Sequence, residues 1–332
     1  MKSFTINKND ANQRLDKFIT KSIPALPPAL LYRYIRLKRI KVNGKRSGIA
    51  YKLQTGDNVE MYINDEFFVK DENRFDFLDA PHELNILYED DNIMLLDKSV
   101  GLLSHPDENE FTDTLITRIK RYLHDKGVYN PADEASFAPA LVNRIDRNTG
   151  GIVIAAKTAE ALRILNEKMK NREIHKLYLC VVRGAMPQNK DLLEGWLKKD
   201  EENNKVMIYS TEQTGSKAIK TKYKVVAVAA GLSLVEVELL TGRKHQIRAH
   251  FAYIGLPLLG DSKYGKISNK SSPPGYNKQF LYSYKLLFDF STDAGSLNYL
   301  KGRTFEVKDV WFAANFPNNI KIGNFDENLT KL

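Results

Sequence analysis

The chain has 332 residues, 42% of them hydrophobic, with 16 tyrosines and 16 phenylalanines. This is ordinary globular composition, which excludes intrinsic disorder, and the length implies two or three folding units. Fifty Lys and Arg against 41 Asp and Glu leave a net charge of +9, and the single cysteine, Cys180, excludes intrachain disulfides and multi-cysteine zinc sites.

The opening MKSFTINKNDANQRL lacks the apolar core of a signal peptide. No stretch approaches the run of about 18 to 20 apolar residues that spans a bilayer. A soluble, cytoplasmic protein with no membrane association is therefore expected, and nothing in the sequence implies an obligate protein partner.

In RLDKFITKSI, Leu15, Phe18, Ile19 and Ile23 recur at helical spacing, and Leu30, Leu31, Tyr34 and Ile35 repeat it between Pro27 and Leu37. IKVNGKR reads as a strand, an Asn-Gly turn and a second strand, and YKLQTGDNVEMYI as a Gly-Asp turn opening another. Residues 31 to 46 carry Arg33, Arg36, Lys38, Arg39, Lys41, Lys45 and Arg46 with no acid, and Tyr32 and Tyr34 lie among them. Such a run is either a solvated face or a surface that neutralises a nucleic-acid backbone. Seven unopposed cations in one short stretch exceed what solubility requires, which favours RNA. Residues 64 to 83 reverse the charge without a clean period and read as a linker.

Two strands follow, Ile86 to Tyr88 and Ile93 to Leu96, joined by an acidic turn. Thr112 to Lys126 is an amphipathic helix with Leu115, Ile116, Ile119 and Leu123 on one side. GIVIAAK is a buried strand, and Thr158 is placed to cap the helix AEALRILNEKMKNR. KLYLCVVRG and AIKTKYKVVAVA are further strands, with Cys180 a buried apolar residue in the first, and LSLVEVELL alternates as a half-buried strand does. HQIRAHFAYIG reads as a short helix ending at Gly255. Strands and helices without regular alternation argue for an α+β domain built on a mixed, mainly antiparallel sheet.

Three places could carry chemistry. In LVNRIDRNTGG, Asp146 stands between Arg144 and Arg147, just ahead of a turn into the buried strand. The acid is either one half of a surface salt bridge or an ionised, oriented nucleophile or base. In TGRKHQIRAHFAYIG, His245 and Arg248 stand at i and i+3 and share a helix face, while His250 points elsewhere. That spacing does not match the paired histidines of zinc proteases, so no metal is expected. In HKLYLCVVRG, Lys176 and Tyr178 face one side of a strand and Leu177 the other. GLPLLGDSKYG reads as an ordered loop held by Gly260, Asp261 and Tyr264. No nucleotide fingerprint, phosphate loop or nucleophile elbow is present.

Taken in order, LNILYEDDNIMLLDKSVGLLSHP, LVNRIDRNTGG, HKLYLCVVRG, GSKAIKTKYKVV and TGRKHQIRAHFAYIGLPLLGDSKYG resemble the blocks of the RluA family of pseudouridine synthases. The basic segment at the start resembles the small RNA-binding domain named after ribosomal protein S-four. The resemblance implies residues 1–64 as that domain, 65–83 as a linker and 84–325 as the catalytic domain. It implies Asp146 as the catalytic aspartate, Tyr178 as the tyrosine against the uracil and Arg248 as the arginine paired with the aspartate. Arg144 then helps to hold out the target nucleotide, and Arg243 and His245 support the site or the RNA backbone, as Arg33, Arg36, Lys38, Arg39 and Lys41 do in the first domain. The implied reaction breaks the C1′–N1 bond, rotates the uracil and rejoins it through C5, with Asp146 either attacking C1′ or removing a sugar proton. It needs no cofactor, and its substrate is RNA: large-subunit ribosomal RNA first, transfer RNA second, with a non-catalytic RNA-binding protein as the rival reading. The chain departs from the family pattern at Asp97, Ser99, Asn143, Ile145, Gly150 and Ser283. Asn143, in place of a histidine, is expected to keep a local hydrogen bond.

Overall fold

The computed structural model describes residues 1–68, 72–265, 278–313 and 316. The first sixty or so residues form β1 (Lys2–Thr5), α1 (Leu15–Ser22), α2 (Pro28–Arg36), β2 (Ile40–Val42), β3 (Lys45–Arg46) and β4 (Asn58–Met61). The four strands make an antiparallel sheet in the order β1-β4-β2-β3. Helices α1 and α2 bury Leu15, Phe18, Ile19, Leu31, Tyr34 and Ile35 in a core running from Ile6 to Ile63. Pro28 opens α2, where its missing N–H has no helical partner to lose. Asn43 and Gly44 take φ values of 52° and 72°, as the tight turn between β2 and β3 requires. Strand β1, four residues long, is too short to give a periodic signal in the sequence.

The rest of the chain forms β5 (Ile86–Glu89), β6 (Ile93–Lys98), α3 (Leu115–Asp125), β7 (Ala140–Leu141), β8 (Gly150–Ala156), α4 (Ala159–Lys170) and β9 (Ile174–Arg183). It continues through β10 (Lys190–Asp200), β11 (Lys205–Tyr209), β12 (Lys217–Ala229), β13 (Leu232–Leu239), α5 (Gln246–Tyr253), β14 (Leu281–Phe288) and β15 (Thr304–Glu306). Its strands lie in one sheet, ordered β11-β10-β12-β13-β9-β14-β8-β6-β5, with β15 beside β14 and β7 beside β8. Among the described residues only the β14–β8 strand pair is parallel, so the sheet is mixed and mainly antiparallel. The last stretch of the sequence-based catalytic segment, 317–325, lies outside the described residues.

Both faces of the central strands of this sheet are covered. Along β8, Ile152, Ile154 and Ala156 face one core with Ala161 and Leu165 of α4, and Val153 and Ala155 face the other with Leu115 and Ile119 of α3 and Ile247 and Phe251 of α5. Thr158 caps α4 as its position in the sequence implies, its side chain accepting from the N–H of Ala161 at 3.1 Å. The half-buried reading of LSLVEVELL is corrected: β13 lies between β12 and β9, and Ser233 to Val237 are all buried. Its polar residues are satisfied internally, Ser233 by the carbonyl of Gly184 and Glu236 by the hydroxyl of Tyr284. The alternation is real but separates two cores instead of core and water.

Residues 72–79, read from sequence as part of a linker, make 3₁₀ turns that deliver Phe77 to the core against α3. The N-terminal unit meets the rest through polar contacts. Asp10 Oδ1 accepts from the Ser136 N–H at 3.0 Å and from its hydroxyl at 2.6 Å, and Asn9 Oδ1 accepts from the Ala159 N–H at the start of α4.

Candidate active site

Asp146 sits in the turn between β7 and β8, and the turn is tied down on several sides. The Thr149 N–H donates to the Asp146 carbonyl at 3.0 Å, the Ser104 hydroxyl to the Ile145 carbonyl at 3.0 Å, and Gln279 to the Thr149 hydroxyl at 3.0 Å. Asn143 makes the local bond expected of it, accepting from the Ile154 N–H at 2.8 Å. The two glycines after Thr149 are required by β14. A Cβ on Gly150 would stand 2.4 Å from the Tyr282 ring, and one on Gly151, whose φ is 112°, would stand 2.1 Å from the Ser283 carbonyl oxygen. A side chain at 151 does not fit without moving the parallel junction of β8 and β14, and one at 150 has to displace the Tyr282 ring.

Beneath the turn lies Lys98, at the end of β6 and almost wholly buried. Its ammonium donates to the carbonyls of Ser99, Leu102 and Arg147. Burial lowers its pKa to about 7, against the opposing pull of Asp146 and Asp97.

The arginines adjacent to Asp146 in sequence are not its partners. Arg144 is exposed, and Arg147 donates its Nε to the Gly101 carbonyl. The ion pair comes from α5, 102 positions away: Arg248 Nη1 lies 2.9 Å from Asp146 Oδ2. The fork of Arg248 is held from behind by Asp261, Nε to Oδ2 at 2.7 Å and Nη2 to Oδ1 at 2.9 Å. Burial opposes the charge on Arg248, but Asp261 and Asp146 outweigh it and raise its pKa. Burial likewise works against the Asp261 carboxylate, and the bonds from Arg248 prevail and lower its pKa. Asp146 keeps 28% of its side chain exposed, and its Oδ1 makes no hydrogen bond among the described residues.

His245 corrects the reading of a helical i, i+3 pair. The helix begins at Gln246, and His245 stands before it with φ of 54°, in the left-handed region. It still reaches the site, its Nε2 3.7 Å from Asp146 Oδ2 and its Nδ1 2.9 Å from the Tyr264 hydroxyl. Burial pushes its pKa down to about 4, so the ring is neutral near pH 7. Gln246 fastens the loop ahead of it, its Oε1 accepting from the Arg243 N–H and its Nε2 donating to Thr221. Tyr178 lies on β9 opposite Ser283 and is 6% exposed; burial raises its phenol pKa to about 12, so it stays protonated.

Asp146, Tyr178, Arg248, Arg144, Arg243 and His245 all line one groove of about 610 Å³, within the range of small-ligand sites. Arg33, Arg36, Lys38, Arg39 and Lys41 do not line it. They lie on α2, in the following turn and on β2, with the first four exposed. Arg39 stacks over Tyr34 and Lys41 over Tyr62. Sequence reasoning missed Lys98 and saw Asp261 only as a loop residue. The one local signal for Lys98 was a cation closing the strand that begins with the apolar run Ile93 to Leu96.

No helix among the described residues is long and apolar enough to cross a membrane. Two solved human proteins share the fold: RNA Pseudouridylate Synthase Domain Containing 4 (TM-score 0.52, 19% identity, 68% of this chain and 88% of that one) and Domain Containing 1 (0.50, 20%, 64% and 81%). Fold and groove thus define a mixed-sheet pseudouridylate-synthase architecture with one carboxylate at its centre. Residues 92–253 match the family model for RNA pseudouridylate synthase. The "Uncharacterized RNA pseudouridine synthase MG370" of Mycoplasma genitalium is 31% identical, spanning 86% of this chain and 88% of its own length. Ribosomal large subunit pseudouridine synthase C of Haemophilus influenzae is 30% identical, spanning 93% and 94%, and that of Escherichia coli 31%, spanning 87% and 88%. The chain belongs to the RluA family of RNA pseudouridine synthases, isomerases that convert uridine in RNA to pseudouridine.

Proposed function

We propose that this enzyme isomerises specific uridines of large-subunit ribosomal RNA in the cytoplasm, with Asp146 as the residue that acts on the target nucleotide. The ribosomal assignment is supported by the relatives named above as large-subunit enzymes, which extend over nearly the whole chain. The role of Asp146 is carried by one observation: the residue lines the groove with Oδ2 held by Arg248 at 2.9 Å, while its Oδ1 makes no hydrogen bond among the described residues. An acid fixed in this way is oriented before substrate arrives, so little reorganisation is needed during reaction.

A uridine inside folded RNA leaves its stack at a cost of a few kcal/mol. The exposed guanidiniums of Arg144 and Arg243 at the groove supply phosphate contacts that help offset it. Tyr178 meets the extruded uracil, a contact of the kind worth roughly 1 to 3 kcal/mol per base. Asp146 then opens the C1′–N1 bond, by attack at C1′ or by removing a sugar proton, and the freed uracil turns and bonds to C1′ through C5. His245, neutral at working pH, orients without adding charge beside the acid. The N-terminal unit binds RNA outside the groove, through α2 and β2.

Ribosomal RNA carrying tritium at C5 of its uridines provides the test, because rejoining through C5 expels that tritium to water. The native chain releases it, and Asp146→Ala binds the RNA but releases none. Release by Asp146→Ala would remove the acid from the mechanism. Release from transfer RNA alone would move the target.

A further inference from the structure

The groove holds a cation that none of these roles uses. Lys176 precedes Tyr178 by two residues on β9, so both side chains stand on the face lining the groove. Its neighbours are occupied elsewhere: His175 lies 2.8 Å from Glu238 and 3.6 Å from Asp289, and Leu177 packs into the opposite core. Lys176 is half-buried and makes no hydrogen bond or ion pair among the described residues. Its ammonium reaches toward the loop before α5, where a Cβ on Gly242 would stand 3.9 Å from Nζ. Burial is the sole cause that lowers its pKa, to about 8, and it remains mostly protonated near neutrality.

A cation withdrawn from water without a partner costs free energy. An anionic oxygen arriving with the substrate recovers that cost through a charge-assisted bond. The position favours a phosphate over a base carbonyl. Gly242 is followed by Arg243 and Lys244, both exposed and both on the groove, so the anion would meet more than one cation. The carboxylate that acts on the sugar is engaged by Arg248 instead.

We infer that Lys176 binds a backbone phosphate of the RNA strand beside the target uridine, at the edge of the groove formed by Gly242 and Arg243. It takes this part only if Asp146 meets the target sugar as proposed above. Lys176 is then a positioning residue: it fixes where the strand lies and so which nucleotide reaches Asp146.

The test uses the full-length Lys176→Gln and Lys176→Arg variants with C5-tritiated ribosomal RNA over a series of salt concentrations. Lys176→Gln should raise KM about tenfold, as removal of one charged hydrogen bond does, with kcat nearly unchanged. Its log–log salt slope should fall by roughly 0.7 to 0.9, the value of one neutralised phosphate. Lys176→Arg keeps the charge and should keep the native slope, which separates removal of the cation from misfolding of the variant. An unchanged slope in Lys176→Gln, or a loss of kcat without a change in KM, would place the lysine on the base or in the scaffold and overturn the inference. Tritium release by Asp146→Ala in the same assay would instead show that the underlying reading has failed, whatever Lys176 does.

Discussion

Arg248 commits two of its three guanidinium nitrogens to Asp261 and aims the third at Asp146. The fork is what makes this possible, since a lysine at the same place would present a point charge with no fixed direction. Asp261 is thus the residue that fixes the angle of approach, and it does so fully buried, with Arg248 the side chain that balances its charge. Asp261→Asn should keep RNA binding and lower kcat roughly ten- to hundredfold, since a hydrogen bond to a charged group carries about 1.5 to 3 kcal/mol. Thermal unfolding should also shift down, because Arg248 is left partly unpaired in a buried setting. Native kcat in Asp261→Asn would mean that Asp146 alone orients the arginine.

The junction of β8 with β14 is the element on which the catalytic turn rests. Among the described residues it is the single parallel strand pairing in the large sheet, and the two backbones approach closely there. Gly151 allows that approach through its positive φ and its missing side chain. Gly151→Ala is expected to cost roughly 1 to 3 kcal/mol from backbone strain alone, before the clash with the Ser283 carbonyl is added. Urea denaturation should show the lowered midpoint, and turnover should fall with it because the Asp146 turn moves with β8. An unaltered midpoint would mean that β14 can retreat from β8 at little cost. The same junction gives a reason for the departures at Gly150 and Ser283: the Tyr282 ring lies where a side chain on residue 150 would begin, and Ser283 is wholly buried behind it.

At the scale of the whole molecule, two clusters of cations among the described residues bear on RNA binding. One lines the groove; the other covers α2 and the turn into β2, where Arg33, Arg36, Lys38 and Arg39 are exposed beside Tyr32 and Leu37. A strand long enough to touch both would bind with a steep dependence on salt. Replacing Arg36, Lys38 and Arg39 together by glutamine should flatten the log–log salt slope of RNA binding, by roughly 0.7 to 0.9 for each phosphate no longer neutralised. Turnover at saturating RNA should stay near native, since none of the three lines the groove. A slope equal to the native one would make this surface a solvated face.

Much of this architecture is legible in the sequence alone. Helices α1, α2, α3 and α4 announce themselves by apolar spacing, the Thr158 cap by its position, and the β2–β3 turn by Asn-Gly, because each depends on neighbours within a few residues. The buried strand β8 and the family motifs around Asp146, Tyr178 and Arg248 are equally visible in one dimension. What stays hidden is every fact that depends on sheet order. Local spacing sets Asp146 beside Arg144 and Arg147 and the family resemblance pairs it with Arg248, but only folding sets Asp261 behind that arginine and Lys98 beneath the turn. Those partners are separated by dozens to a hundred residues, and no local period encodes which strand will lie next to which. The burial of β13 on both faces has the same cause, since alternation separates two faces but does not say what covers each. Local chemistry chose the elements and marked the acid; only the tertiary arrangement decided what holds that acid in place.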